Sequence, residues 1–245
     1  MKYTITIASL IATAGFANAA TTLFTSNFDA NTGAHVFTGD TDNTSGSSSL
    51  GVTWTQDAAV TAISGLTAVS TTDGGTSTQG GFAQTQNGAG VFANPNVAYI
   101  SRNHNLATPR TDAQLGYSFT FTLNTSFDLE ELVVASTHTN NSGNSDQAFA
   151  SDLVISVSGG TLGSAITDTI NEDYGAFDAY HDVTFDLTGN TLGAGTYTVQ
   201  VHQSNMPSGG AYASYDGVTL TAVPEPSSTA LLGLGGLALI LRRRK

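Results

Sequence analysis

Short runs in which apolar residues alternate with threonine, serine and other polar residues occupy much of the chain between residues 115 and 222. The clearest run extends from Tyr117 to Leu123 and has an aromatic or aliphatic side chain at every second position. This alternation is typical of β-strands that bury one face. Similar runs cover residues 132–137, 153–157, 183–187, 197–201 and 218–222.

Polar segments separate these runs. Residues 140–146 consist of Asn, Ser, Gly and Asp, which is a loop composition. In the first third of the chain, residues 40–49 and 71–90 are rich in small polar residues, which indicates long loops or irregular edge strands. Residues 20–222 contain no convincing amphipathic helix. The pattern therefore predicts an all-β fold, an antiparallel two-sheet β-sandwich, with the jelly roll as the favoured topology.

The apolar pattern changes at the N-terminus. Lys2 precedes a continuous apolar stretch from Ile5 to Phe16, and Ala17-Asn18-Ala19 follows. A basic residue, an apolar segment and an Ala-x-Ala site form the pattern of a secretory signal peptide. We therefore expect signal peptidase to act at Ala17 and Ala19, which would leave a body that starts at residue 20.

The C-terminus carries a second targeting pattern. Pro224-Glu225-Pro226 precedes an apolar run that ends at Leu241, and the chain closes with the basic residues Arg242, Arg243, Arg244 and Lys245. An apolar segment followed by basic residues is typical of a membrane segment with its charges on the cytoplasmic side. The run is shorter than the about 20 residues that a spanning helix needs, although long basic side chains can reach the interface. It predicts a single C-terminal hydrophobic helix.

The order of tripeptide, apolar segment and basic cluster resembles the PEP-CTERM sorting signal of Gram-negative bacteria. In that family an exosortase, a membrane-embedded cysteine transpeptidase, recognises the tripeptide. The resemblance implies transient membrane anchoring, cleavage at the motif and delivery of the body to the cell envelope, cell surface or extracellular matrix. The alternative is a plain C-terminal anchor. The chain is thus divided into a signal peptide (1–19), a sandwich domain (20–222) and a sorting signal (223–245).

The body is strongly acidic. Of the 19 acidic residues only Glu225 lies outside it, and of the seven basic residues only Arg102 and Arg110 lie inside it. Such a charge repels nucleic acid and attracts divalent cations, so we expect no nucleic-acid partner. The alternative is that surface acidity only keeps an exported protein soluble. The chain has no cysteine, which excludes disulfides and thiolate chemistry.

Residues near the two ends of the body suggest a metal site. Phe24 to Asp29 opens the body, and Tyr215 to Leu220 closes it. This arrangement resembles carbohydrate-binding-type jelly rolls, whose first and last strands lie side by side and hold a structural calcium ion. The resemblance implies that Asp29 and Asp216 are calcium ligands, completed by carbonyl oxygens and water. The alternative is that both are ordinary turn carboxylates.

Aromatic residues supply the candidate carbohydrate contacts. Trp54 is the only tryptophan, and Tyr180 and Tyr212 are further candidates for stacking on a sugar ring. A core position is the stronger interpretation of Trp54. Tyr197 follows a Gly-Ala-Gly turn and resembles the tyrosine corner of extracellular β-sandwiches, which gives it a structural role.

Catalytic signals are weak. The histidines are scattered without a zinc-site spacing, and we interpret Asp128, Glu130 and Glu131 as solvated loop charges and not as a glycosidase pair. Three hypotheses remain. The favoured one is a non-catalytic envelope or matrix protein associated with exopolysaccharide, the second is a calcium-stabilised carbohydrate-binding module, and the third is a polysaccharide-active enzyme.

Overall fold

The computed structural model describes residues 19–28, 49–70, 81–83, 98–101, 115–139, 149–174, 181–205 and 212–225. Within these ranges the chain forms β-strands and turns and contains no helix. The strands are β1 (Thr21–Ser26), β2 (Ser49–Leu50), β3 (Thr55–Gln56), β4 (Val60–Ile63), β5 (Leu66–Ser70), β6 (Gly81–Ala83), β7 (Ala98–Ser101), β8 (Leu115–Leu123), β9 (Phe127–Thr139), β10 (Phe149–Gly159), β11 (Ile166–Tyr174), β12 (His181–Asp186), β13 (Thr191–Leu192), β14 (Gly195–Ser204) and β15 (Tyr212–Pro224).

The strands form two antiparallel sheets. The eight-stranded sheet has the order β12-β9-β15-β1-β3, with β13 on β9, β7 on β15 and β6 on β7. The seven-stranded sheet has the order β11-β10-β14-β8-β5-β2, with β4 on β8. This architecture confirms the predicted all-β, two-sheet fold. The predicted C-terminal hydrophobic helix lies outside the described residues, and among those residues no helix is long and apolar enough to cross a membrane.

The alternating pattern places one face of each central strand in the core. In the β14–β8 pair, Tyr197 lies opposite Phe121 and Val201 lies opposite Tyr117, and all four side chains are buried. Their burial removes apolar surface from water, which is the main stabilising contribution to folding. The edge strand β11, which the sequence pattern did not predict, has only half-buried apolar residues at Ile166 and Ile170.

Phe24 of β1 connects the two sheets through aromatic contacts. Its ring, which is fully buried, lies 5.3 Å from Phe119 and 5.1 Å from Phe121 of the facing sheet, measured between ring centroids. Trp54 meets it edge to face at 5.6 Å. Tilted and edge-to-face pairs at these distances are favourable beyond the burial of area alone.

Tyr197 confirms the predicted corner. Its hydroxyl donates to the carbonyl oxygen of Gly193 at 2.8 Å, and it lies 2.9 Å from the hydroxyl of Thr161. The Thr161 backbone N–H donates to the same tyrosine oxygen at 3.3 Å. The Tyr197 ring also lies over Gly160, where an added Cβ would come within 2.2 Å of a ring carbon. The tyrosine therefore joins the turn after β10 to the turn before β14.

Removing this hydroxyl tests the corner directly. Tyr197→Phe is expected to lower the free energy of unfolding by about 1–3 kcal/mol. The substitution removes a buried hydroxyl, so Gly193 and Thr161 lose their hydrogen bonds to it. Urea unfolding followed by circular dichroism gives the change. Tyr117→Phe is the matched control and should not lower stability, because the buried hydroxyl of Tyr117 has no hydrogen-bond partner in the described part of the chain. A midpoint for Tyr197→Phe equal to that of the unsubstituted protein would contradict the structural role.

Candidate functional site

The last strand of the sandwich continues into the Pro-Glu-Pro motif. Pro224 is the final residue of β15 and pairs with Phe127 of β9. The next backbone N–H, that of Glu225, donates to the carbonyl oxygen of Ser126 at 3.3 Å. Pro224 is half-buried and the Glu225 side chain is exposed. The sheet therefore extends two residues beyond the predicted domain boundary at 222, whereas Pro226 lies outside the described residues.

The start of the body lies next to this motif. In the antiparallel pairing of β1 with β15, Thr21 lies opposite Ala222. Ala19 and Ala20 precede β1 and are exposed, while Ala17 lies outside the described residues. We call the end of the sandwich that holds the start of β1 and the end of β15 the junction end. Ala19 of the predicted signal peptidase site and Pro224 and Glu225 of the Pro-Glu-Pro motif are therefore at this end.

Turns from both sheets also lie at the junction end. Residues 124–126 join β8 to the start of β9, which pairs with the end of β15. Residues 187–190 join β12 to β13, both of which pair with β9, and residues 160–165 join β10 to β11 in the facing sheet. Asp186, the last residue of β12, precedes the turn of residues 187–190. Hydrogen bonds from Thr188 lower the pKa of Asp186 from its ordinary value, and the side-chain bond contributes more than the backbone bond. The Thr188 backbone N–H lies 2.9 Å from Asp186 Oδ1. These contacts give the junction end ordered turns beside the motif.

The opposite end of the sandwich contains a β-bulge at Asp216. Tyr215 pairs with Ser136 and Gly217 pairs with Ala135, so Asp216 is an extra residue in β15. Gly217 is packed so closely that a Cβ there would lie 2.8 Å from the carbonyl oxygen of Ser26. A bulge bends a strand and changes the direction of a side chain. The Asp216 side chain is half-buried at this position.

The predicted calcium pair is seen only in part. Asp29 lies outside the described residues, but the chain that leads to it runs beside the bulge, since the Asn27 Cα lies 3.4 Å from a Cβ built on Gly217. Phe28 has a positive φ of 55°. Among the described residues, no group of three or more His, Cys, Asp or Glu could hold a metal ion. Calcium binding by Asp29 and Asp216 stays a prediction.

The candidate aromatic residues have different positions. Trp54 is half-buried, lies 4.8 Å from the Phe119 ring, and donates from Nε1 to the carbonyl oxygen of Ser64 at 2.9 Å. Its ring and its donor thus have partners within the sandwich. Tyr180 lies outside the described residues, and of Tyr212 only the backbone, at the start of β15, is described. Their role in carbohydrate binding stays a prediction.

The carboxylates considered for catalysis lie in β9 and not in a loop. Asp128, Glu130 and Glu131 belong to the strand Phe127–Thr139, because their neighbours Leu129 and Leu132 are buried in the core. Asp128 accepts a hydrogen bond from the Thr191 hydroxyl at 2.6 Å. All three acidic residues are therefore part of a paired β-strand at the junction end.

The opposite end also has polar groups inside the sandwich. Ser136, Ser151 and Gln203 are buried, and Tyr117 is fully buried with its pKa raised well above the ordinary value because burial disfavours the phenolate. In the part of the chain that the structure describes, Tyr117 Oη and Ser151 Oγ have no hydrogen-bond partner. Ser151 occupies an inward position in the alternating pattern of β10, and this position is the one sequence feature that marks it.

The residues that hold the motif could not be identified from the sequence. Ser126 and Phe127 contact Glu225 and Pro224 across the sheet, although they are far away along the chain. No local pattern marks them, since their role depends on which strand lies beside β15. The structure adds them to the candidate site.

Comparison with known proteins supports the C-terminal motif. Residues 222–245 match the PEP-CTERM protein-sorting motif, which confirms the resemblance seen in the sequence. The chain therefore ends in a sorting signal of the class found on exported, surface-associated proteins of Gram-negative bacteria. No curated protein sequence matches the chain.

Several solved structures are similar to parts of the sandwich. TmCBM61 in complex with β-1,4-galactotriose has a TM-score of 0.28 at 10% identity, covering 51% of this chain and 80% of that chain. The family 32 CBM from C. perfringens NanJ, in complex with galactose, has a TM-score of 0.30 at 11% identity, covering 64% and 93%. A family two carbohydrate esterase from Cellvibrio japonicus has a TM-score of 0.23 at 14% identity, covering 68% and 37%.

Proposed function

We propose that the chain is an exported, non-catalytic envelope or matrix protein that is cut at its Pro-Glu-Pro motif and associates with exopolysaccharide. The observation that carries this proposal is the C-terminal sorting motif, which follows directly on the last strand of a folded sandwich. The motif supports export and surface association. Signal peptidase acts at the N-terminus and exosortase at the C-terminus.

The geometry of the junction end suits this route. Because β1 and β15 are antiparallel neighbours, with Thr21 opposite Ala222, both targeting segments leave the sandwich from the same end. The body can therefore fold while both segments are still held in the membrane. The opposite end, with the bulge at Asp216, then faces away from the membrane. That end is the part of the domain that is presented to the surrounding polymer.

The outer faces of the sandwich suit a hydrated polysaccharide. Threonine hydroxyls are exposed on several strands and form cross-strand pairs, such as Thr122 with Thr196 at 2.9 Å. Thr25 and Thr219 form a second pair at 2.7 Å. Hydroxyl groups both donate and accept hydrogen bonds, so these faces can replace water around a sugar polymer. The non-catalytic assignment is part of the proposal, and turnover of a polysaccharide by the purified protein would contradict it.

Substitution of the motif tests the proposed processing. In a Gram-negative host that has an exosortase, Glu225→Ala is expected to leave the precursor uncut and in the membrane fraction, because the exposed carboxylate of the motif is removed. Electrophoretic mobility and mass spectrometry of the C-terminus separate precursor from product. Glu172→Ala, in the edge strand β11 at the far side of the other sheet, is the matched control and should be processed normally. Processing of Glu225→Ala at the normal rate would overturn the proposal.

The alternative function is a calcium-stabilised carbohydrate-binding module. The bulge that places Asp216 beside the chain leading to Asp29 favours this alternative. Titration of the processed protein with the producing cell's purified exopolysaccharide, with calcium and then with a chelator, tests it. Saturable binding that is lost on chelation and in Asp216→Asn would favour the module. Equal results with calcium and with chelator would exclude a calcium-dependent site.

A further inference from the structure

The sorting motif begins inside the sheet and not after a linker. Pro224 is paired with Phe127, and the Glu225 N–H is bonded to Ser126. The residues next to this pairing are firmly packed, since Ala222 is fully buried and its partner Leu129 is 2% exposed. The end of β15 is thus part of the folded domain.

The distance to the membrane segment is short. Only Pro226, Ser227 and Ser228 stand between Glu225 and Thr229, where the apolar run begins. Four residue steps span at most about 14 Å even when fully extended. With the apolar run in the membrane, the junction end therefore lies close to the membrane surface. An enzyme that acts on the motif has to work in this narrow space.

Recognition of an extended peptide uses the peptide's main-chain groups as well as its side chains. Main-chain groups at the end of β15 are already engaged by β9, through the pairing of Val223 with Asp128 and the hydrogen bond from the Glu225 N–H to the carbonyl oxygen of Ser126. An enzyme that binds the motif as an extended segment competes with β9 for these groups. These groups cannot bind β9 and the enzyme at the same time.

The pairing of β15 with β9 is interrupted by a β-bulge just before the motif. Thr221 pairs with Glu131 and Ala222 pairs with Leu129, so Glu130 is a bulged residue in β9. A bulge disrupts the hydrogen-bond ladder locally. Residues 223–225, which we call the terminal segment, follow this bulge and lie beyond Ala222, the last residue of β15 that pairs with β1. The terminal segment can therefore leave β9 while Ala222 stays buried and the pairs of Gly217 to Thr221 stay formed.

We infer that the exosortase binds the motif only after the terminal segment has left β9, so that the folded sandwich and the enzyme compete for the same strand. This inference rests on the proposed function. The partner is the membrane-embedded transpeptidase, and the residues of this chain that oppose it are Ser126, Phe127 and Asp128. Release of the terminal segment lengthens the accessible chain on the sandwich side of the motif and frees its main-chain groups.

A reversible crosslink across the terminal segment tests the inference. The chain has no cysteine, so Val223→Cys with Asp128→Cys introduces a single possible disulfide between paired residues of β15 and β9. Thr219→Cys with Val133→Cys crosslinks the same two strands on the other side of the bulge and is the matched control. Thiol labelling verifies oxidation in both proteins. We expect loss of processing in the first protein, recovery after a reductant, and normal processing in the control.

An insertion provides the second test, which needs no disulfide. A Gly-Ser spacer between Val223 and Pro224 moves the motif away from β9 and leaves its distance from the apolar run unchanged. We expect faster processing than in the unaltered chain. Normal processing of the protein crosslinked at Val223 and Asp128, or an insertion that does not accelerate cleavage, would overturn the inference. Failure of the unaltered chain to be processed would instead contradict the proposed function.

Discussion

Phe24→Ala is expected to destabilise the sandwich by about 3–5 kcal/mol, the usual cost of removing a large aromatic side chain from a core. The fully buried Phe24 ring lies within 5.3 Å of Phe119 and Phe121, measured between ring centroids. Its loss leaves a cavity between β1 and β8 and removes an aromatic link between the two sheets. Total stability of a domain is only about 5–15 kcal/mol, so this one change should remove a large part of it.

The measurement is urea unfolding of the processed protein followed by tryptophan fluorescence. Trp54 is the only tryptophan and contacts Phe24 directly, so its emission reports on this part of the core. Phe24→Leu retains much of the volume and should cost less. Equal midpoints for Phe24→Ala and the unsubstituted protein would show that the sheets do not pack through this ring.

A second large effect is expected from pH, through His202. The imidazole is buried in β14, and burial lowers its pKa from 6.5 to about 4, because the charged form is disfavoured away from water. The unfolded chain therefore binds a proton at a higher pH than the folded chain does. Stability from this residue is present in full above pH 6.5 and is lost as the pH falls towards 4. The expected loss is about 3 kcal/mol.

Replacement of the histidine isolates this contribution. His202→Gln keeps a polar side chain of similar length next to Gln200, whose Nε2 lies 3.3 Å from His202 Nδ1, but it does not titrate. The measurement is the unfolding free energy of both proteins at about pH 7.5 and about pH 4, on either side of the ordinary histidine pKa. Between these two pH values the unsubstituted protein should lose about 3 kcal/mol more stability than His202→Gln. A parallel pH dependence in the two proteins would contradict a neutral, buried His202.

The strands that alternate regularly could be predicted from the sequence. The run from Tyr117 to Leu123 lies within β8, which extends from Leu115 to Leu123, and Tyr197 makes the predicted bond to its corner. In such strands one face is buried along the whole length, so the period of two is unbroken. Local pattern and tertiary structure agree at these positions.

Prediction was incomplete where a bulge changes the pattern. The sequence indicated a strand only from Leu132 onward, whereas β9 starts at Phe127. The bulged residue Glu130 shifts the inward positions from odd to even numbers, so two adjacent acidic residues interrupt the alternation in a continuous strand. The same local irregularity hid Asp128, Glu130 and Glu131 as strand residues.

The candidate site was predicted in its chemistry but not in its surroundings. Pro224, Glu225 and Pro226 were identified from their order with the apolar and basic segments, which is a property of the sequence alone. The contacts of Pro224 with Phe127 and of Glu225 with Ser126 depend on the neighbour of β15 in the sheet. That neighbour is chosen by long-range packing, which no local pattern encodes.

The intact mass of the protein recovered from the surface of the producing cell tests the central claim most directly. The account predicts a polypeptide that begins at Ala20 and no longer contains the basic residues Arg242 to Lys245. A polypeptide that still carries those residues at its C-terminus would contradict processing at the Pro-Glu-Pro motif.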